Sequence, residues 1–309
     1  MGNKRLFIFA GYDRDKIVDS TLVYYLKSLS ELGDIVFTMD NDLPPHELNK
    51  ITEIPNVLHA SAVRHGEYDF GSYKRGYIWA RDNKLLNKYD WVYLVNDSVF
   101  GPLFDLKYTL EKLETSGADF TGMVECTDSR LPRHIQSWFV GLGRHVVKNP
   151  QFDDFITNIT HQSVKAVIVY KYEMRLTQML LMSGYKYSAI YSDSDTLLYR
   201  KPWCVISHGV PFIKKLSFDT NAKIQYLYPY LSGEMLSEIL HWAHRYNVNL
   251  CSDSEIWHEP YHKLHRLTLF GVPLVTIYVK TPMDSSVSYK VCLFTNLPIF
   301  KFSTQKPRI

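Results

Sequence analysis

Trp91-Val92-Tyr93-Leu94-Val95-Asn96-Asp97-Ser98 is the stretch whose reading decides the fold class of this 309-residue chain. Its continuous apolar run predicts a strand covered on both faces, the kind found in parallel sheets flanked by helices. The run stops abruptly at three polar residues, so whatever the strand carries is presented at its carboxyl end. Working outward toward the N-terminus, residues 6–10 form a second short apolar run that ends at Gly11-Tyr12-Asp13. Residues 18–32 then place Leu22, Tyr25, Leu26, Leu29 and Leu32 at helical spacing before Gly33. A further strand is expected over 35–39, ending in Asp40-Asn41-Asp42, and another over 56–63, with the Pro44-Pro45 turn and a short helix between them. Helix is expected again over 72–86.

On the C-terminal side the spacing predicts a helix over 106–116, strands over 119–124 and 137–142, and a helix over 172–183 stopped by Gly184. Strands that alternate with helices imply an α/β fold with a mostly parallel sheet and helices on both faces. In such sheets the polar residues at the carboxyl ends of the strands gather in one crevice. Asp13, Asp40, Asp97 and Glu125 are all expected there. From about residue 220 the pattern changes to an amphipathic helix over 235–246 and mixed signals with a strand over 274–279. The expected organisation is therefore a nucleotide-binding catalytic domain over 1–218 and a helical and mixed C-terminal segment over 219–309, suited to capping an acceptor, dimerising or docking on a membrane.

Composition narrows the function classes. Hydrophobic residues make up 46% of the chain, enough for a packed core, and a net charge of +3 gives no global support to nucleic-acid binding. Cys126, Cys204, Cys251 and Cys292 lie far apart, with no metal-finger or disulfide-framework spacing, which fits a reducing cytosol. The start of the chain runs directly into a strand pattern, without the length or cleavage site of a secretory signal. The longest apolar stretch, 267–279, contains Pro273 and is shorter than the roughly 20 residues that span a bilayer. A cytoplasmic protein without a transmembrane helix is expected.

Several segments can carry chemistry. In His65-Gly66-Glu67-Tyr68-Asp69-Phe70-Gly71-Ser72-Tyr73-Lys74-Arg75-Gly76, the Gly71-Ser72 pair can bring backbone N–H groups to a phosphate, with Lys74 or Arg75 supplying charge. The same stretch reads equally well as an ordinary loop before a Ser-capped helix. Asp97 suffices as a protein ligand for a phosphate-bound Mg²⁺ or Mn²⁺, with His208 as a candidate second ligand. The plain alternatives are a polar strand end closed by Gly101-Pro102 and a surface histidine. Lys214 and Lys215 can meet phosphates or simply be solvated, and Arg130, Arg133 and His134 form a small basic group.

These segments, together with His134-Ile135-Gln136-Ser137-Trp138-Phe139, Tyr172-Glu173 and Gly209-Val210-Pro211-Phe212-Ile213-Lys214, occur in the order seen in the rhamnan synthesis protein F family. The chain resembles that family over roughly residues 4 to 216. The resemblance implies a bacterial glycosyltransferase of polysaccharide and O-antigen assembly with a GT-A-like (Rossmann-like) fold, and a dTDP-rhamnose donor in named members. By position, Asp69, Gly71, Ser72 and Lys74 match the donor-loop motif, Asn96, Asp97 and Ser98 the diphosphate or metal motif, and His134, Gln136 and Ser137 the central-strand motif assigned to the acceptor side. Glu173 and Lys214 match the acidic and basic residues of the later motifs.

Glycosyl transfer needs a nucleotide pocket, charge stabilisation for the departing diphosphate and, for inversion, a base for the acceptor hydroxyl. The resemblance makes Glu173 the candidate base, with Glu125 and Asp128 in reserve or binding acceptor hydroxyls. It implies a nucleoside diphosphate sugar and a glycan acceptor as partners, with peripheral association at the inner membrane and a homo-oligomer as further expectations. A non-catalytic glycan- or nucleotide-binding module and a scaffold subunit of an assembly complex are the alternative readings.

Overall fold

The computed structural model describes residues 2–194, 196–220, 224–248 and 250, together with strands over 262–269, 272–280, 286–293 and 297–305. The chain divides into two compact units, Met1–Leu250 and Cys251–Ile309.

In the first unit β1 (Arg5–Gly11) is buried along its whole length, and Asp19 caps α1 (Ser20–Ser30) by accepting the Leu22 N–H at 2.9 Å. The expected stripe of Leu22, Tyr25, Leu26 and Leu29 is the buried face of that helix. There follow β2 (Asp34–Met39), α2 (Pro45–Thr52) with proline in its first turn, β3 (Val57–Ala62) and α3 (Tyr68–Asp82). The central apolar run is β4 (Trp91–Asn96), buried throughout, followed by β5 (Val99–Phe100) and α4 (Leu106–Glu114).

Beyond them lie β6 (Phe120–Cys126), β7 (His134–Ile135), β8 (Phe139–Gly143), α5 (Arg144–Val147), α6 (Pro150–Thr157) and α7 (Lys165–Ile168). A π-helical turn, Val169–Met174, leads directly into α8 (Arg175–Met182). The unit is completed by β9 (Tyr187–Asp193), α9 (Leu197–Arg200), α10 (Pro202–Ser207), β10 (Ile213–Lys214) and α11 (Gly233–Tyr246).

The main sheet runs β3-β2-β1-β4-β8-β6-β7, with β9 also paired to β6. Pairing is parallel from β3 through β4 and between β6 and β9, whereas β8 runs antiparallel to both β4 and β6. The fold is thus the mostly parallel α/β sheet that the alternation of elements implies. Helices cover both faces: Phe7, Phe9 and Phe37 pack with α1 and α4 on one side, and Leu6, Ile8 and Val36 with α3 and α6 on the other. Gly76 permits the second contact, since a Cβ there would lie 2.6 Å from the Ile8 side chain.

Strand β1 connects to β2 on one side and lies beside β4 on the other. The chain reverses its direction of travel across the sheet at this point, and a crevice opens between the two carboxyl ends. Tyr12-Asp13 and Asn96-Asp97-Ser98 are consequently neighbours. A third apolar cluster joins Phe100, Ile213 and Phe218 to Met235, Ile239 and Trp242 of α11, so this helix, beyond residue 218, packs into the first unit.

The second unit contains a four-stranded antiparallel meander, β11 (His262–Leu269), β12 (Val272–Lys280), β13 (Ser286–Leu293) and β14 (Leu297–Gln305). The strand expected over 274–279 falls within β12. Among the described residues no helix is long and apolar enough to cross a membrane.

Candidate functional site

A cavity of about 280 Å³ opens beside the carboxyl end of β4, lined by Asp69, Asn96, Ser98, Gln136, Ser137, Trp138, Glu173, Tyr199 and Lys214, among others. One wall is a continuous hydrogen-bonded line through three distant segments. Asn96 Nδ2 donates to Asp69 Oδ2 at 2.8 Å, and Asn96 Oδ1 accepts from the Ser98 N–H at 3.1 Å and from the Ser98 hydroxyl. Lys214 Nζ in turn donates to Ser98 Oγ at 2.6 Å and sits 5.4 Å from the centroid of the Trp138 ring. Asp69 belongs to the first turn of α3, and Lys214 is delivered by the short β5–β10 ladder, in which it pairs with Val99.

Electrostatics at this wall follow from enclosure. Burial drives the Lys214 ammonium down to about 8, against the pull of Asp69 and Glu173. Burial likewise raises the Asp69 carboxyl, opposed by Lys214, Lys165 and the Asn96 hydrogen bond.

The facing wall carries Glu173. Its π-helical turn holds one more residue per hydrogen-bonded ring than an α-helix, a deviation that recurs at functional sites. Tyr172 packs with Phe70 and Phe155 while its hydroxyl accepts the Thr160 N–H at 2.9 Å, and Glu173 lines the cavity. Glu173 Oε2 accepts from the Ser137 N–H at 3.1 Å and from the Ser137 hydroxyl, and Oε1 lies 3.5 Å from His134 Nε2. Burial disfavours the Glu173 charge, yet the hydrogen bonds from His134 and Ser137 outweigh it and hold the carboxyl below its ordinary range. His134 moves the opposite way: burial lowers it, but Glu173 and the Pro132 carbonyl, 2.7 Å from Nδ1, raise it above the usual imidazole value. Gln136 Oε1 accepts from Trp138 Nε1 at 3.1 Å and from the Tyr199 hydroxyl at 3.3 Å.

A second cavity, about 250 Å³, adjoins the first and shares Ser98 and Lys215 with it. Its walls include Tyr12, Asp13 and Asp19 from the β1 side, Asp97, and Trp242 and Tyr246 of α11. Asp97 Oδ2 accepts the Tyr12 N–H at 2.9 Å, and desolvation pushes its carboxyl up to about 7 despite the charge of Lys215. Arg245 ties α11 to the loop after β1 and to the cap of α1 by bonding Asp13 Oδ2 at 2.6 Å and Asp19 Oδ2 at 3.0 Å, and the Tyr246 hydroxyl donates to Asp13 Oδ2 at 2.7 Å.

A family model described as rhamnan synthesis protein F matches residues 35–263, well over half of the chain. The chain belongs to the rhamnan synthesis protein F family. A curated relative, the uncharacterized protein y4gN of Sinorhizobium fredii (strain NBRC 101917 / NGR234), is 23% identical over 188 residues, which cover 60% of this chain and 48% of the relative. This chain therefore spans about half the length of that relative. Among solved structures, the glycosyltransferase GlyE of Streptococcus pneumoniae TIGR4 aligns with a TM-score of 0.39 at 12% identity, over 82% of this chain and 67% of that one.

Within this family member, the structure gathers Asp69, Asn96, Ser98, Gln136, Ser137, Glu173 and Lys214 around one cavity and places Asp97 in the next. His134 reaches the first only through Glu173. The donor-loop expectation is corrected at three positions. Helix α3 starts at Tyr68 instead of 72, so the Gly71 N–H is spent on the Glu67 carbonyl at 3.2 Å and is not free for a phosphate. Ser72 is fully buried against His65 Nε2 at 3.0 Å, and Lys74 Nζ donates to the Ile159 carbonyl at 2.7 Å. Gly71 serves packing, because a Cβ there would collide with Glu67 and His65.

The reserve acids are also committed elsewhere. Glu125 accepts from Arg133 Nε at 2.9 Å, Ser192 Oγ at 2.9 Å and the Tyr187 hydroxyl, and Asp128 is held at about 2 by Arg130, whose Nη2 lies 2.5 Å away. Neither lines the two cavities. Asp40, expected in the crevice, instead accepts the His65 and Gly66 N–H groups at 2.7 and 2.8 Å. His208 Nδ1 lies 2.6 Å from the Cys204 carbonyl, its ring rests on Tyr191, and it lines neither cavity beside Asp97. Among the described residues no group of three or more His, Cys, Asp or Glu side chains is arranged to hold a metal ion. Asn96 Oδ1 accepts from Ser98 and one oxygen of Asp97 accepts the Tyr12 N–H, with Lys215 nearby.

The contributions of Trp242, Arg245 and Tyr246 escaped the sequence reading. They lie some 230 residues from Asp13 in the chain, on a helix whose local signal is amphipathicity alone.

Proposed function

We propose that this chain is a glycosyltransferase that moves a hexosyl or deoxyhexosyl unit, such as rhamnosyl, from a nucleoside diphosphate to a hydroxyl of a growing surface glycan, with inversion. The observation that carries this reading is the convergence of Asp69, Glu173 and Lys214 on one cavity, joined through Ser98 and Lys215 to a second. Taken together the two volumes fall in the range of about 300–1,000 Å³ usual for small-molecule sites. The nucleoside occupies the cavity between β1 and α11, the diphosphate lies at Ser98 and Lys215, and the sugar occupies the cavity of Glu173.

In the transfer step the bond from the anomeric carbon to the diphosphate oxygen breaks, and its electron pair stays on the diphosphate. The acceptor oxygen bonds to the same carbon from the opposite face, and its proton passes to Glu173. Ser137 and His134 support this role by keeping Glu173 ionised and aimed. Asp69, fixed by Asn96, is placed to accept from a sugar hydroxyl.

The test is to incubate the purified chain with UDP-, dTDP- and GDP-sugars and to measure binding, donor hydrolysis and transfer. Turnover that falls about 10²–10⁴-fold in Glu173→Gln, with donor affinity retained, supports the assignment. Binding without turnover in the unaltered chain would favour a non-catalytic module, and failure to bind any nucleotide would favour a scaffold.

A further inference from the structure

We infer that Lys214 and Lys215 supply at the donor diphosphate the positive charge that a divalent cation supplies in metal-dependent transferases, so that this chain binds and cleaves its donor without a metal ion. The inference rests on the glycosyltransferase reading above and concerns the same site.

The first observation is a buried charge with no counter-charge in contact: Asp69, Glu173 and Asp97 act on it only from beyond ion-pair distance. Lys214 is buried, yet among the described residues no carboxylate stands within ion-pair distance of its ammonium, which is held by Ser98 Oγ and the Trp138 ring. A buried, unpaired ammonium is costly, and it is stabilised when an anion arrives beside it. Lys215 adds a second positive charge and is the residue, with Ser98, that lines both cavities, which puts it where a diphosphate would bridge them.

The second observation is the state of the oxygens that a cation would need. Asp97 is the one carboxylate of Asn96-Asp97-Ser98, and an oxygen of it is taken by the Tyr12 N–H. Asn96 Oδ1 is taken by Ser98, and an oxygen of Asp69 is taken by Asn96 Nδ2. A hard dication entering here would compete with these bonds for the carboxylate and amide oxygens and stand near two ammonium groups. The diphosphate meets the two ammonium groups directly, and their charge offsets the repulsion of Asp69 and Asp97 beside them. As the sugar–phosphate bond breaks and its electron pair settles on the leaving oxygen, the two lysines balance the added charge, and the acceptor proton goes to Glu173. No other reactant is required.

Titration calorimetry of the full chain with UDP, dTDP and GDP, in EDTA and then with MgCl₂ or MnCl₂, separates the outcomes. The expected result is that at least one nucleoside diphosphate binds in EDTA, with an affinity that either metal changes by less than about twofold. Lys215→Ala and Lys214→Met should each weaken binding about tenfold or more, whereas Lys214→Arg should recover most of it. Because Lys214 is buried, melting curves for its variants accompany the titration, and the more exposed Lys215 provides the independent variant. Binding that appears or strengthens more than tenfold only with metal overturns the inference and leaves the transferase reading standing. Metal-independent binding that survives both lysine substitutions also overturns it. A folded chain that binds no nucleoside diphosphate in any buffer removes the transferase reading and this inference together.

Discussion

Lys214 Nζ donates to Ser98 Oγ at 2.6 Å, and through Ser98 and Asn96 it is linked to the carboxylate of Asp69 without touching it. An ammonium placed in this way costs the fold and serves the site. Its folded pKa, near 8, lies below the value of an unfolded lysine, so the native state pays for the charge at every pH below 8 and is relieved of it as pH rises toward 10. Lys214→Met is therefore expected to raise the melting temperature at pH 7, by roughly 1–3 kcal/mol of stability, while weakening donor binding about tenfold or more. A calorimetric melt shows which way the change goes, and a lower melting temperature would contradict the account of an unpaired charge.

Activity should respond to pH on its alkaline side. Deprotonation of Lys214 near pH 8 removes charge from the diphosphate seat, so kcat/KM for the donor should fall above that value. Arginine stays protonated, and in Lys214→Arg the alkaline limb should move up by a pH unit or more. A limb unmoved by this substitution would assign it to another group.

The two acids of the first cavity should separate kinetically. Glu173→Gln keeps the shape of the site and removes the proton acceptor, so kcat falls with KM for the donor little changed. Asp69→Asn disturbs the line to Asn96 and Ser98, and is expected to raise donor KM about tenfold or more. If the two variants exchange these signatures, Asp69 is the base.

Asp97 offers a stability measurement independent of any substrate. Its folded carboxyl, near 7, binds a proton more tightly than the unfolded residue near 4. Its contribution is thus most favourable below pH 4 and is lost progressively as pH rises through 7. Asp97→Asn should flatten this part of the pH–stability curve and stabilise the chain at pH 8 by roughly 1–3 kcal/mol, with weakened nucleotide binding. Urea titrations at pH 5 and pH 8 provide the comparison.

Arg245 holds α11 against the β1–α1 connection through Asp13 and Asp19, with its side chain 16% exposed. Replacing it with alanine leaves both acids without their cation, and a loss of about 2–4 kcal/mol is expected. Nucleotide affinity should drop with it, because Trp242 and Tyr246 form part of the same cavity wall. Retained affinity in a destabilised Arg245→Ala would show that the nucleoside does not lie there.

Several elements were legible in the amino-acid order. The run Trp91 to Val95 reads as a doubly covered strand because it is short, continuous, rich in aromatic and β-branched residues, and closed by polar ones. The spacing of Leu22, Tyr25, Leu26 and Leu29 likewise left one helical face to the core. Those local patterns determined the α/β class and put Asn96-Asp97-Ser98 at a strand end, and they depend on residues within about one helical turn of each other. Tertiary structure decided the rest. Helix α3 begins at Tyr68, whose φ of 57° no periodicity announces, and that earlier start took the backbone of Gly71 and Ser72 out of play. Lys214 meets Ser98 across 116 residues, and Arg245 meets Asp13 across 232. The altered acidities of Lys214 and Asp97 arise from desolvation by partners that only folding assembles. A side chain's charge is written in the sequence, but the cost of that charge is set by what surrounds it.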